Sequence, residues 1–151
     1  MFQEFLSFHL TLVISLSKMI LHIKAIEGAD IPKMDVAGKS DPYLKFTLST
    51  SSQKWKTKTV NNSLTPVWNE ELHLPITSSL KDELTVQLYD DDNVSKDDII
   101  SSLKFKVDDF KEGKVTDKWY NFEPAKGVKN GGKVRLVFHL DKSGKEAFKA
   151  K

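Results

Sequence analysis

Two short stretches concentrate the residues able to do chemistry. In YDDDNVSKDD, residues 89–98, Asp90, Asp91, Asp92, Asp97 and Asp98 crowd together, opposed only by Lys96. PKMDVAGKSDPY, residues 32–43, carries Asp35 and Asp41. Like charges this close cost free energy unless solvent or a cation screens them. Oxygen donors without His or Cys suit a hard cation, and several carboxylates on flexible loops suit Ca2+ better than Mg2+. The spacing is not that of an EF-hand, because the required Gly and terminal Glu do not follow Asp90. Paired aspartates also serve two-metal phosphoryl chemistry. Against an enzyme, the chain has no P-loop, no HExxH and no Ser or Cys nucleophile with a His partner.

The elements that must position these stretches read as short strands. From Met19 onward the pattern has period two with frequent turn signals. The expected strands are 20–26 (ILHIKAI), 43–49 (YLKFTLS), 54–60 (KWKTKTV), 67–74 (VWNEELHL), 83–89 (ELTVQLY), 100–107 (ISSLKFKV), 118–122 (KWYNF) and 133–140 (KVRLVFHL), with a turn at 108–111. This predicts an all-β, antiparallel β-sandwich. In a sandwich, strand ends from both sheets meet at one rim, so the loops after the first and fifth strands can converge there. Asp35, Asp41, Asp90, Asp92 and Asp98 then face one another. Trp55, Trp68 and Trp119 read as packing residues. His22, His73 and His139 read as half-exposed strand residues without metal-ligand spacing.

The chain has 151 residues, 39% of them hydrophobic, and a formal net charge of +2. That suits one globular domain, and the basic excess is too small to argue for nucleic acid. The absence of cysteine excludes disulfides and thiolate metal sites. Residues 1–18 read as an apolar appendage, 19–141 as the domain and 142–151 as a short basic tail. For the first segment, a signal or anchor and an extra edge strand over 8–15 (FHLTLVIS) are the alternatives.

PKMDVAGKSDPYLKF, KTKT, SLTPVWNE and YDDDNVSKDDII, in that order, resemble the successive signatures of a C2 domain, as found in protein kinase C and synaptotagmin. The resemblance covers about 20–140. Thr65 stands where Asn often precedes the Pro, Ser101 where Gly is common and Asp91 where an aromatic is common; none of these removes a metal-binding carboxylate. The resemblance implies an eight-stranded Greek-key sandwich that binds two or three Ca2+ ions between loops at one end. The family's ligand aspartates fall on Asp35, Asp41, Asp90, Asp92 and Asp98. Ser95 matches a position that adds a side-chain oxygen, and Met34 and Asp91 match the main-chain ligands. Asp97 reads as a solvated neighbour. Of the family's two circular permutations, GGKVRLVFHL at 131–140 selects the one whose extra strand is C-terminal.

The same resemblance implies a Ca2+-dependent phospholipid-binding module rather than an enzyme, cytoplasmic until Ca2+ rises and then docked on anionic membrane. Phosphatidylserine is the expected lipid, with phosphoinositides as a further ligand and no nucleic acid. Val36 and Val94, at the tips of the acidic loops, match apolar residues that dip into the interface. Lys54, Lys56 and Lys58 alternate along one strand, so they share a face. In the protein kinase C group the phosphoinositide contacts map onto Tyr43, Lys45, Lys56 and Lys58, with Tyr89 as a further aromatic match. The bland alternative is a charged strand edge that discourages pairing. A Ca2+-regulated protein-docking module is the runner-up function, and a metal-dependent phosphoester enzyme stands behind it.

Overall fold

The computed structural model describes residues 19–34, 37–77, 80–148 and 150; the segment at 1–18, with its alternative edge strand, lies outside them. The fold follows from side-chain alternation. Along β5 (Glu83–Asp90), Leu84, Val86 and Leu88 are fully buried while the residues between them are partly exposed, as a half-buried strand requires. The remaining strands are β1 (Met19–Ala29), β2 (Pro42–Leu48), β3 (Lys54–Lys56), β4 (Val67–Ile76), β6 (Asp98–Lys106), β7 (Val115–Asn121), the two-residue β8 (Glu123–Pro124) and β9 (Lys133–Asp141). The expected turn is a short 3-10 segment over Val107–Asp109.

The strands form two antiparallel sheets, ordered β4-β1-β9-β7 and β3-β2-β5-β6-β8. Between them lies one core, with Phe46, Phe138, Leu21, Leu44, Leu74, Leu88 and Ile100 among its fully buried residues. β9 follows every other strand in sequence yet lies between β1 and β7, which is the permutation the C-terminal GGKVRLVFHL predicts. The two-residue β8 adds a ninth strand, beside β6, to the expected eight.

Gly131 lies where the sheets close together. A Cβ built there would stand 1.9 Å from the Phe122 carbonyl oxygen. The Gly131 carbonyl accepts a 2.7 Å hydrogen bond from Ser101, which is fully buried. The third strand is shorter than expected, stopping at Lys56: the Thr57 amide still donates to the Leu44 carbonyl at 2.9 Å, but the return bond goes to the Thr57 side chain. Its Oγ1 accepts from the Leu44 amide at 2.9 Å, a bond that a ladder carbonyl would otherwise take.

Two aromatic expectations change. Trp68 is buried and Trp55 packs against the core, but Trp119 is 43% exposed on β7, with Lys133 Nζ 5.4 Å from its ring centroid. His22 and His139 are buried rather than half-exposed, while His73 remains open. These three histidines stand opposite one another on β4, β1 and β9. Nδ1 of His22 lies 2.7 Å from Nδ1 of His73. The chain after β9 covers the row: Asp141 accepts bonds from the amides of Ser143 and Glu146, Glu146 meets His139 Nε2 at 3.0 Å, and Phe148 stacks on His22. Burial on this outer face comes from that returning chain, which alternation along β1 and β9 does not announce.

Candidate functional site

The two acidic stretches meet at one end of the sandwich because of how β2, β5 and β6 pair. Pro42 opens β2 opposite Asp90 at the end of β5, and Asp90 lies opposite Asp98 at the start of β6. A bulge sets this register: Leu88 faces Ser101 and Tyr89 faces Ile99, so Ile100 is skipped. Without that extra residue Ile99, not Asp98, would oppose Asp90. The Asp41 amide donates to Asp90 Oδ1 at 2.7 Å, and the Asp91 amide donates to the Asp41 carbonyl at 2.9 Å. Asp90 is only 2% exposed, whereas Asp98 is open to solvent. A buried carboxylate directly across from another carboxylate costs a strand pair stability.

Small polar residues hold the first loop in place. Ser40, fully buried, donates to the Pro32 carbonyl at 2.8 Å and accepts from the Met34 amide at 3.0 Å. Asn62, in the left-handed region at φ 53, accepts from the Lys39 amide at 2.9 Å and donates its own amide to Asp41 Oδ1. Asp35 and Val36 lie outside the described residues.

The second acidic loop is a self-capped turn. Asp92 accepts from the Val94 amide at 3.0 Å and from Ser95 Oγ at 2.8 Å, and these bonds hold its carboxyl below the usual range. Val94, at the tip, is 96% exposed. Asp91 turns its carboxylate toward Thr59 Oγ1 at 2.8 Å. The strand register therefore places Asp41 beside Asp90 and Asp90 opposite Asp98, while Asp92 and Ser95 bond to each other. Among the described residues, no three His, Asp or Glu side chains converge closely enough to hold a metal ion.

Asp97 is more than a solvated neighbour. Half-buried, it accepts from the Asp92 amide through Oδ1 at 3.0 Å and from the Tyr43 hydroxyl through Oδ2 at 2.6 Å. The Tyr43 bond, then the Asp92 amide, holds its carboxyl below the usual range. Burial, reinforced by Asp97, pushes the Tyr43 phenol well above its ordinary value. The only sequence signal for this role is an aspartate preceding the last motif aspartate, which spacing alone cannot separate from a surface charge. Ser40 and Asn62 gave no more signal than ordinary loop residues.

The lysine face is ordered by the β2–β3 and β2–β5 pairs. Tyr43 stands opposite Tyr89 with their rings stacked at 5.4 Å and 9°. Lys45 stands opposite Lys56. Lys45 Nζ lies 4.7 Å from the Tyr89 ring centroid and Lys56 Nζ 4.7 Å from that of Tyr43, close enough for cation–π attraction. Lys58 lies beyond the end of β3, so strand alternation does not place it with the others; its amide donates to Glu70 Oε2 at 2.7 Å.

Residues 19–122 match the model of the C2 domain family. Synaptotagmin-4 of Arabidopsis thaliana is 33% identical over 131 residues, covering 83% of this chain and 23% of that protein. The chain spans about a quarter or less of the curated relatives it matches. Among solved structures, a single C2 domain of a plant extended synaptotagmin 1 shares the fold with a TM-score of 0.74 at 21% identity, covering 81% of this chain and 93% of that one. The calcium-bound tandem C2 domains of extended synaptotagmin 2 match with a TM-score of 0.71 at 27% identity, over 83% of this chain and 46% of that one.

Proposed function

The chain belongs to the C2 domain family, and from that membership we propose that it is a Ca2+-dependent phospholipid-binding module that docks on anionic membrane through its acidic rim. The observation that carries this reading is the opposed pair Asp90 and Asp98, one member buried, beside Asp41. The oxygen-only donor set fits a hard dication, and a like-charge pair kept at a ladder end is relieved by one. The calcium-bound relative of similar fold supports the same choice of ion. Because C2 domains are a non-catalytic module family, the phosphoester reading of the aspartates has little to recommend it.

Asp41, Asp90 and Asp98 would hold Ca2+, with Asp35, Asp92 and Ser95 and the carbonyls of Met34 and Asp91 as the further oxygen donors for two or three ions. Bound Ca2+ supplies positive charge and coordination positions that lipid phosphate or carboxylate oxygens can fill. With the carboxylates unneutralised, the rim repels an anionic leaflet; once they are neutralised, the repulsion is gone. Asp92 would join that set by giving up its bonds to Val94 and Ser95, while its amide is bonded to Asp97. Val94, together with Val36, enters the interface. Lys45, Lys56 and Lys58 attract phosphoinositide head groups around the Tyr43–Tyr89 stack.

Co-sedimentation with phosphatidylserine vesicles, in Ca2+ and in chelator, tests the proposal. Binding in Ca2+ alone is expected. Equal binding in chelator would overturn it, and Ca2+ heat without vesicle binding would turn the reading toward protein docking.

A further inference from the structure

Away from the acidic rim, two histidines meet on the outer surface of the other sheet. Leu21, Ile23, Leu72 and Leu74 point into the core, so His22 and His73 between them point out. His22 on β1 stands directly opposite His73 on β4, and their Nδ1 atoms are 2.7 Å apart. His22 lies well before the end of β1, roughly 23 Å along the strand from where the first acidic loop begins. The outer nitrogen of each ring faces a carboxylate: His22 Nε2 is 3.9 Å from Asp141 Oδ2, and His73 Nε2 is 3.9 Å from Glu71 Oε2. His22 is buried and its Nε2 has no hydrogen-bond partner. We propose that His22 and His73 chelate a divalent transition ion, Zn2+ or Cu2+, through their Nδ1 atoms, with Asp141 and Glu71 orienting the two rings.

The proton count supports this arrangement. Two neutral imidazoles at this separation share one proton between their Nδ1 atoms. Moving that proton to Nε2 of the same ring leaves two Nδ1 lone pairs turned toward each other and an N–H on each outer nitrogen, with no proton lost. A histidine that ligates through one nitrogen ordinarily donates from the other to a carboxylate, which gives His22 Nε2 the partner it lacks. Burial, the first cause, lowers the His22 imidazole and keeps it in the neutral form that binds metal. Zn–N bonds of about 2.0–2.1 Å at a tetrahedral angle place the two nitrogens about 3.3 Å apart. The His73 side chain, half open to solvent, turns to give that distance. Phe148, stacked on His22 and edge-on to His73, walls one side. His139 is engaged with Glu146 at 3.0 Å. Among the described residues no third His, Asp or Glu joins the pair, so water fills the remaining positions and the ion exchanges readily. Imidazole donors select this class of ion over Ca2+, which separates the site chemically from the rim.

The inference stands independently of the reading given under Proposed function. Zn2+ is titrated calorimetrically into the untagged full chain, with and without millimolar Ca2+. One Zn2+ per chain should bind in a step that Ca2+ does not remove. His73→Ala, at an exposed position, should weaken that step at least about tenfold, because losing a ligand costs no less than losing its carboxylate partner. Glu71→Gln should weaken it about tenfold. Asp108→Asn, an exposed charge on the 3-10 segment, should leave it unchanged. Cu2+ bound to the wild-type chain should show electron paramagnetic resonance splitting from two imidazole nitrogens. Absence of a Ca2+-insensitive Zn2+ step overturns the inference, as does equal affinity in wild type and His73→Ala, or a Cu2+ spectrum with fewer than two nitrogens. Zn2+ binding that Ca2+ abolishes belongs to the acidic rim and overturns it too.

Discussion

At the scale of single residues, Asp90 and Asp92 differ in what they do before any cation arrives. Asp90 is a buried charge bonded to the Asp41 amide, whereas Asp92 is a turn cap at the loop. Replacing both by Asn keeps volume and most acceptors but removes two charges. Calorimetry should then show Ca2+ affinity down at least about tenfold, because neutral amides are poorer ligands for a hard dication. Melting without Ca2+ should show unchanged or slightly higher stability, since repulsion falls. Wild-type protein that gains no thermal stability in millimolar Ca2+ would contradict the premise, because a ligand of the native state must raise its apparent stability. The lysines give a second expectation. Lys45→Ala, Lys56→Ala and Lys58→Ala combined should lose preference for phosphoinositide vesicles yet keep Ca2+-dependent binding to phosphatidylserine. The lost component should be the salt-sensitive one, given a Debye length of about 8 Å at physiological ionic strength. The aspartates were legible as types at fixed spacings, and Val94, Tyr43 and Tyr89 only as matches to the family's motifs, without the stacking of the two tyrosines. Asp97 was not, because its role depends on where a tyrosine from another strand ends.

At the scale of elements, the register of β6 rests on a bulge and on one crowded contact. Gly131 has no room for a Cβ, and its carbonyl satisfies buried Ser101. Gly131→Ala forces the backbone apart and should cost about 3 kcal/mol or more in urea unfolding. Ser101→Ala leaves a buried carbonyl without that partner and should cost about 1–3 kcal/mol. Similar losses in the two variants would indicate that the backbone clash relaxes freely. Strand existence was legible from alternation almost everywhere. The early end of β3 was not, because Thr57 is a good strand residue whose hydroxyl happens to replace a ladder partner. Nor was the bulge at Ile100, since period two cannot mark which residue is skipped.

At the scale of the whole molecule, the buried His22 and His139 make stability depend on pH. Burial first, then the nearby charges of His73 and His139, lower the His22 imidazole from its ordinary value. Around that group, Asp141 on β9 and the returning Glu146 supply the negative charges, with His139 on β9 and His73 on β4 opposing. The native state therefore binds fewer protons than the unfolded chain below the ordinary histidine value of about 6.5. His22's contribution is full above that pH and declines below it. The melting temperature should be lower at pH 5.5 than at pH 7.5, and the difference should shrink in His22→Phe; an unchanged difference would assign it to other groups. The sandwich and its permutation were legible because Gly131-Gly132 precedes so clear a strand. The cover over the histidines was not, since nothing in 142–148 marks where it packs. That permutation also has a temporal consequence. β9 occupies the interior of its sheet, yet it is the last strand of the sandwich to leave the ribosome. Until residue 141 emerges, β1 and β7 have no shared neighbour, and the β9-facing donors and acceptors of β1 wait for a partner more than a hundred residues away in sequence. The pairing that spans the most sequence therefore forms last during synthesis, and it is the slow one to close.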